Sequence, residues 1–129
     1  LEIGDDIMSK KILVVEDSST MRSMIATIIE EMDDFTVTEA GSGFEALKLL
    51  PTEKFDLIIT DINMPDINGL EVVNFVKTHP NYKKIPLIII TTERSEEDRK
   101  KGIALGASEY ITKPFKHDEL QEVVRRVIG

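Results

Sequence analysis

The sequence predicts an α/β fold, one parallel sheet with helices on both faces. Three observations predict it. Short apolar runs alternate with helical stripes five times along the 129 residues. The runs Phe55–Thr60 and Pro86–Ile90 are rich in Leu and Ile and do not alternate, as strands buried on both faces require. Strands that alternate with helices imply right-handed crossovers between parallel neighbours.

Each element has its own signal. Lys11–Val15 is a short β-rich run. Met21, Met24, Ile25, Ile28, Ile29 and Met32 then recur at three- and four-residue spacing, one apolar stripe on a helix. Ser18 or Ser19 is placed to cap that helix. Phe35–Glu39 alternates and reads as an edge strand. Gly41-Ser-Gly43 breaks the chain, and Phe44–Leu50 forms a short helix stopped by Pro51. Phe55–Thr60 is the third strand. Pro65 keeps a helix from starting directly after it. Beyond Gly69, the residues Leu70, Val73 and Val76 mark a third helix. Pro86–Ile90 is the fourth strand, with proline at its first position. Ser95-Glu-Glu-Asp opens a polar helix whose first turn is acidic, as the helix dipole favours. Gly106 ends it, and Ser108–Thr112 is the fifth strand. Leu120, Val123, Val124 and Val127 stripe the last helix. Five such units match the flavodoxin-like architecture, and the strand order 2-1-3-4-5 is taken over from that architecture.

Composition narrows the function. Apolar residues make up 41% of the chain, enough for an ordinary core. A net charge of −8 argues against a nucleic-acid-binding face, which needs clustered Lys and Arg. With no cysteine, disulfides, thiolate zinc sites and thiol nucleophiles are excluded. No run approaches the roughly 20 apolar residues of a membrane span, and the N-terminus lacks a signal pattern. A cytoplasmic location is therefore expected. Residues 1–8 are set apart as a remnant or disordered N-terminus, because Met8-Ser-Lys-Lys reads as a start, and 9–129 as one domain.

The chemistry gathers at strand ends. Glu16 and Asp17 close the first apolar run, Asp61 the third, Thr91 the fourth and Lys113 the fifth. Open α/β sheets place ligands at the carboxyl ends of their strands. A single acid there would be explained by loop solvation. Five such residues at the ends of four strands are not. Packed carboxylates repel. Three acids and one lysine leave two negative charges, which one Mg²⁺ cancels. Asn63, two residues past Asp61, is placed to turn a backbone carbonyl toward that ion. A carboxylate beside Mg²⁺ is fit to attack phosphorus in line and form an aspartyl phosphate. The Thr91 hydroxyl would then bond the new phosphoryl oxygen. The mark replaces one negative charge with nearly two, so local partners must rearrange.

Four motifs carry a family resemblance: Ile12-Leu-Val-Val-Glu-Asp17, Asp61-Ile-Asn-Met-Pro-Asp-Ile-Asn-Gly69, Ile88-Ile-Ile-Thr-Thr92 and Gly106-Ala-Ser-Glu-Tyr-Ile-Thr-Lys-Pro-Phe115. Together they make residues 10–128 resemble the receiver domain of two-component response regulators. The resemblance implies Asp61 as phosphoacceptor, with Glu16, Asp17, Asp61 and the Asn63 carbonyl as Mg²⁺ ligands. It implies Thr91 as switch hydroxyl, Lys113 as the cation pairing the phosphoryl group, and Tyr110 as the aromatic that turns inward with Thr91. It implies a cis Lys113–Pro114 bond. The family usually shows Asp-Asp where this chain has Glu16-Asp17, so Glu16 is expected to reach the metal through a water.

Asn63 and Glu93 match the variable pair of chemotaxis-type regulators, and Ser18-Ser-Thr-Met-Arg22 looks chemotaxis-like too. A short-lived mark is therefore expected. The implied function is a phosphorelay switch. It would take its phosphoryl group from a histidine kinase and bind a protein target through the face of the fourth helix, fifth strand and fifth helix. It would catalyse only its own phosphorylation and dephosphorylation. No nucleic acid or membrane contact is implied. His79 and His117 read as exposed and functionally silent, and the Glu93–Lys101 charge run as a solvated helix face.

Two other functions share these elements. A magnesium-dependent phosphohydrolase wants a general acid two residues after its nucleophile, and Asn63 stands there. A flavin-binding electron carrier needs a phosphate-binding loop after the first strand. Glu16-Asp17 would repel that phosphate.

Overall fold

The computed structural model describes residues 9–92 and 96–128. Its strands are β1 (Lys10–Val15), β2 (Phe35–Ala40), β3 (Leu57–Thr60), β4 (Leu87–Thr91) and β5 (Glu109–Thr112). They form one parallel sheet in the order β2-β1-β3-β4-β5. The helices are α1 (Ser19–Glu30), α2 (Gly43–Leu49), α3 (Gly69–Thr78), α4 (Glu96–Leu105) and α5 (His117–Ile128). The expected order and the expected edge position of β2 are both found.

Successive strand residues point to opposite faces of the sheet, and both faces are covered. Leu13, Val15, Ile58, Leu87 and Ile89 face Ala46 of α2 and Val72, Val73 and Val76 of α3. Ile12, Val14, Leu57, Ile59, Ile88, Ile90 and Ile111 face Ile25, Ile28 and Ile29 of α1 and Leu120, Val123 and Val124 of α5. That is why the central strands read as unbroken apolar runs. Each fully buried Leu or Ile contributes roughly 1.5–3 kcal/mol.

The boundaries differ from the sequence pattern where proline or burial intervenes. Pro86 lies just outside β4, since it has no N–H for the ladder, although its carbonyl accepts from Ile58 N at 3.1 Å. β4 extends instead through Thr91. Phe55 is buried but precedes β3, and Asp56 exchanges bonds with Lys11 before the ladder begins. Pro51 does not stop the chain at once; it sits in a 3₁₀ turn, Leu50–Thr52, that follows α2. Met24 was expected in the apolar stripe of α1 but is 42% exposed. α1 packs on β1, β2 and α5, a seat that covers Ala26 on one flank and leaves Met24 open on the other. Ser18 is the cap, its Oγ accepting from Met21 N at 3.3 Å. Ser95, expected to open the fourth helix, lies outside the described residues.

Two glycines shape the loops near the sheet ends. Gly106 follows α4 at φ +119°, a region that side-chain-bearing residues rarely enter. Gly69 opens α3, where any Cβ would overlap the carbonyl of Asp61.

Candidate functional site

The ladder runs one residue past several strands and thereby seats the functional side chains. Glu16 N donates to Ala40 O at 3.0 Å, Asp61 N to Val15 O at 3.0 Å and Lys113 N to Thr91 O at 2.9 Å. Each of these side chains therefore leaves a backbone already fixed by its neighbour. Parallel strands bring all of them to the same end of the sheet.

Lys113 occupies the centre of the cluster. Its Nζ donates to Glu16 Oε1 at 2.5 Å and to Asp61 Oδ2 at 3.2 Å. All three residues are buried, Glu16 at 2% and Asp61 at 6% exposure. Asp61 Oδ1 accepts from Ile62 N at 2.7 Å, and Glu16 Oε2 accepts from Ser18 N at 3.1 Å. Asp17 stands exposed at the mouth. Carboxylate oxygens of Glu16, Asp17 and Asp61 lie within 4.8 Å of one another.

Burial dominates the electrostatics. It pushes the Glu16 carboxyl above the usual range, and the charge of Asp61 adds to the push. Hydrogen bonds from Lys113 and Ser18 pull it back only in part. Burial also works against the Lys113 ammonium, but the hydrogen bond to Glu16 and the charge of Asp61 outweigh it. The lysine is held above its ordinary value. One lysine among three acids leaves a net negative pocket of oxygen donors. Oxygen donors with surplus negative charge suit a hard divalent cation such as Mg²⁺, so this donor set fits one.

The remaining expected residues fall on β4, on β5 and in the loop after β3. Thr91 ends β4, fully buried, and pairs in register with Thr112. Tyr110, half-buried on β5, pairs with Ile89 and packs against the α2–α3 side of the core. Asn63 is exposed between buried Ile62 and Met64 in the β3–α3 loop. The Lys113–Pro114 bond is cis. Glu93 lies outside the described residues. His117 is exposed, as expected, and pairs with Glu31 and Asp118. His79 is half-buried instead, stacked on Tyr82 with ring centroids 4.4 Å apart.

Some residues of this region were not visible as site residues in the sequence. Arg22 reaches back from α1 to the Glu16 carbonyl at 2.8 Å and binds Glu39 at 3.1 Å. Asp66 accepts from the N–H groups of Gly43 and Phe44. Both depend on partners far along the chain, so spacing alone carries no signal for them. Among the described residues no helix is long and apolar enough to cross a membrane.

The response regulator receiver domain profile matches residues 12–125. A chemotaxis protein CheY homolog of Campylobacter jejuni is 40% identical over 120 residues, covering 92% of each chain. Chemotaxis protein CheY1 of Helicobacter pylori is also 40% identical, over 92% of this chain and 97% of its own. The solved structure of the Vibrio cholerae chemotaxis protein CheY4 superposes with a TM-score of 0.86 at 36% identity, over 92% of this chain and 98% of that one. A strand-end pocket of this kind, on this sheet order and with relatives this similar over most of their length, is that of a signalling switch, and the chain belongs to the response regulator receiver family, among its chemotaxis-type members.

Proposed function

We propose that this chain is a phosphoacceptor switch that captures a phosphoryl group on Asp61. The observation that carries the reading is Lys113 Nζ, held between Glu16 and Asp61 beside three clustered carboxylates. Asp61, Glu16, Asp17 and the Asn63 carbonyl would hold Mg²⁺. When bound, that ion neutralises charge on the transferring oxygens.

An oxygen of Asp61 attacks phosphorus in line as the bond to the donor's leaving group breaks, and the leaving group departs with the electron pair. Lys113 faces the new phosphoryl oxygens with its ammonium. The Thr91 hydroxyl donates to one of them, and Tyr110 follows on the adjacent strand. Return to the resting state is hydrolysis. Water attacks phosphorus, the Asp61 O–P bond breaks and inorganic phosphate leaves. The chain turns over only its own aspartyl phosphate.

The donor is a histidine kinase, as the receiver family implies. The target binds the face made by α4, β5 and α5. A cavity of about 440 Å³ opens there, lined among others by Arg99, Tyr110, Thr112 and Glu119. An acidic, cysteine-free chain suits a switch working in the cytoplasm.

The test is mass spectrometry after incubation with acetyl phosphate and Mg²⁺. One phosphoryl adduct is expected, absent without Mg²⁺ and absent in Asp61→Asn. An adduct that persists in Asp61→Asn would overturn the assignment.

A further inference from the structure

We infer that Asp66 is a positioning residue for the cation site, holding the loop that carries Asn63 against the first turn of α2. The inference rests on the function proposed above. Asp66 Oδ2 accepts from Phe44 N at 2.8 Å and Oδ1 from Gly43 N at 3.3 Å. These are two of the N–H groups that a helix start leaves without intrahelical partners. The Phe44 N–H, helped by those of Ile67 and Gly43, keeps the Asp66 carboxyl below the usual range.

Capping α2 does not require this residue. Ser42 already caps the helix locally, its Oγ accepting from Glu45 N at 3.0 Å. The carboxylate comes instead from another loop, 22 and 23 residues away. The consequence falls on that loop. Its two ends are closed by Gly69 N donating to Ile62 O at 2.8 Å. Its far side is pressed on α2 so closely that a Cβ on Gly43 would stand 2.9 Å from Ile67 Cβ. Asn63 lies between the closure at Ile62 and the clamp at Asp66, one residue from the first and three from the second. Buried Ile62 and Met64 flank it. Fixing the loop at both sides of Asn63 sets where its backbone carbonyl stands, without Asp66 itself touching the ion.

The test compares Asp66→Ala, Asp66→Asn and Ser42→Ala by calorimetric titration of Mg²⁺, with thermal melts in Mg²⁺-free buffer. Asp66→Ala should weaken Mg²⁺ binding about tenfold, the lower end of what loss of an outer-shell partner costs. Asp66→Asn keeps an accepting oxygen for the Phe44 N–H and should recover most of the affinity. Ser42→Ala should lower the melting temperature but leave Mg²⁺ affinity unchanged. Labelling of Asp66→Ala by acetyl phosphate should slow at low Mg²⁺ and recover at saturating Mg²⁺. Unchanged affinity in Asp66→Ala, or equal weakening in Ser42→Ala, would overturn the inference, because Asp66 would then be only a helix cap. A parent chain that binds no Mg²⁺ would overturn the proposed function itself, and this inference with it.

Discussion

Lys113 serves two buried carboxylates at once, and that double duty makes it costly to remove. Without its ammonium, Glu16 and Asp61 would face each other with no cation between them. Breaking a buried charge pair by deleting one partner costs several kcal/mol. Lys113→Ala should lose about 3 kcal/mol of unfolding free energy in Mg²⁺-free buffer, read by urea denaturation, and regain part of it with Mg²⁺. An unchanged urea midpoint would show that the lysine does not neutralise the pair. The same variant should still accept phosphate in part yet fail to activate its target. Gly69 is the second sensitive position, since a Cβ there would run into the Asp61 carbonyl. Gly69→Ala should cost about 3 kcal/mol, the upper end of overpacking penalties, because the obstacle is backbone that cannot swing aside. A stable Gly69→Ala chain with an unaltered denaturation midpoint would contradict that close approach. Asp61, Glu16, Asp17, Thr91 and Lys113 were legible in the sequence because each follows or ends an apolar run. Asp66 and Arg22 were not. An exposed loop acid and a helix arginine look alike whether solvated or bonded to a partner 17 or 22 residues away.

At the level of elements, the contact between α1 and α5 carries a pH dependence. His117, the first residue of α5, pairs through Nε2 with Glu31 at 2.5 Å and through Nδ1 with Asp118 at 2.9 Å. Glu31 is the C-cap of α1. Hydrogen bonds to Asp118 and Glu31 hold the imidazole above its ordinary value of 6.5. A raised folded-state value means the protonated form is favoured by folding. Its contribution is fully present below 6.5 and fades as pH rises through the folded-state value. Urea midpoints of the parent chain and His117→Gln should therefore differ most at mildly acid pH and converge at alkaline pH. A gap that widens on going alkaline would reverse the sign and sink the pairing. The element pattern was readable where periodicity was strong. It failed at Met24, because a stripe defines a helix face but not how far its neighbours reach around each flank.

For the whole molecule, the cation site proposed at the strand ends would tie stability to ion binding. The chain carries a net charge of −8, and the clustered carboxylates of Glu16, Asp17 and Asp61 add repulsion that an ion bound among them would relieve. A ligand that binds only the folded state stabilises it by about 2.7 kcal/mol at a hundredfold excess over Kd. Mg²⁺ should raise the melting temperature of the parent chain by several degrees more than NaCl of equal ionic strength, and Asp17→Asn should blunt the effect. Equal shifts from both salts would mean general screening and no site.

The alternation of apolar runs with helical stripes was enough to set the fold class, because burial on both faces of a parallel sheet demands that pattern. The same runs named the side chains at their carboxyl ends. Only the folded chain decided that Glu16, rather than exposed Asp17, shares Lys113 with Asp61, and that the loop after Asp61 is clasped by α2. Those outcomes depend on which groups meet across the sheet and how much water remains between them, and no local spacing encodes either.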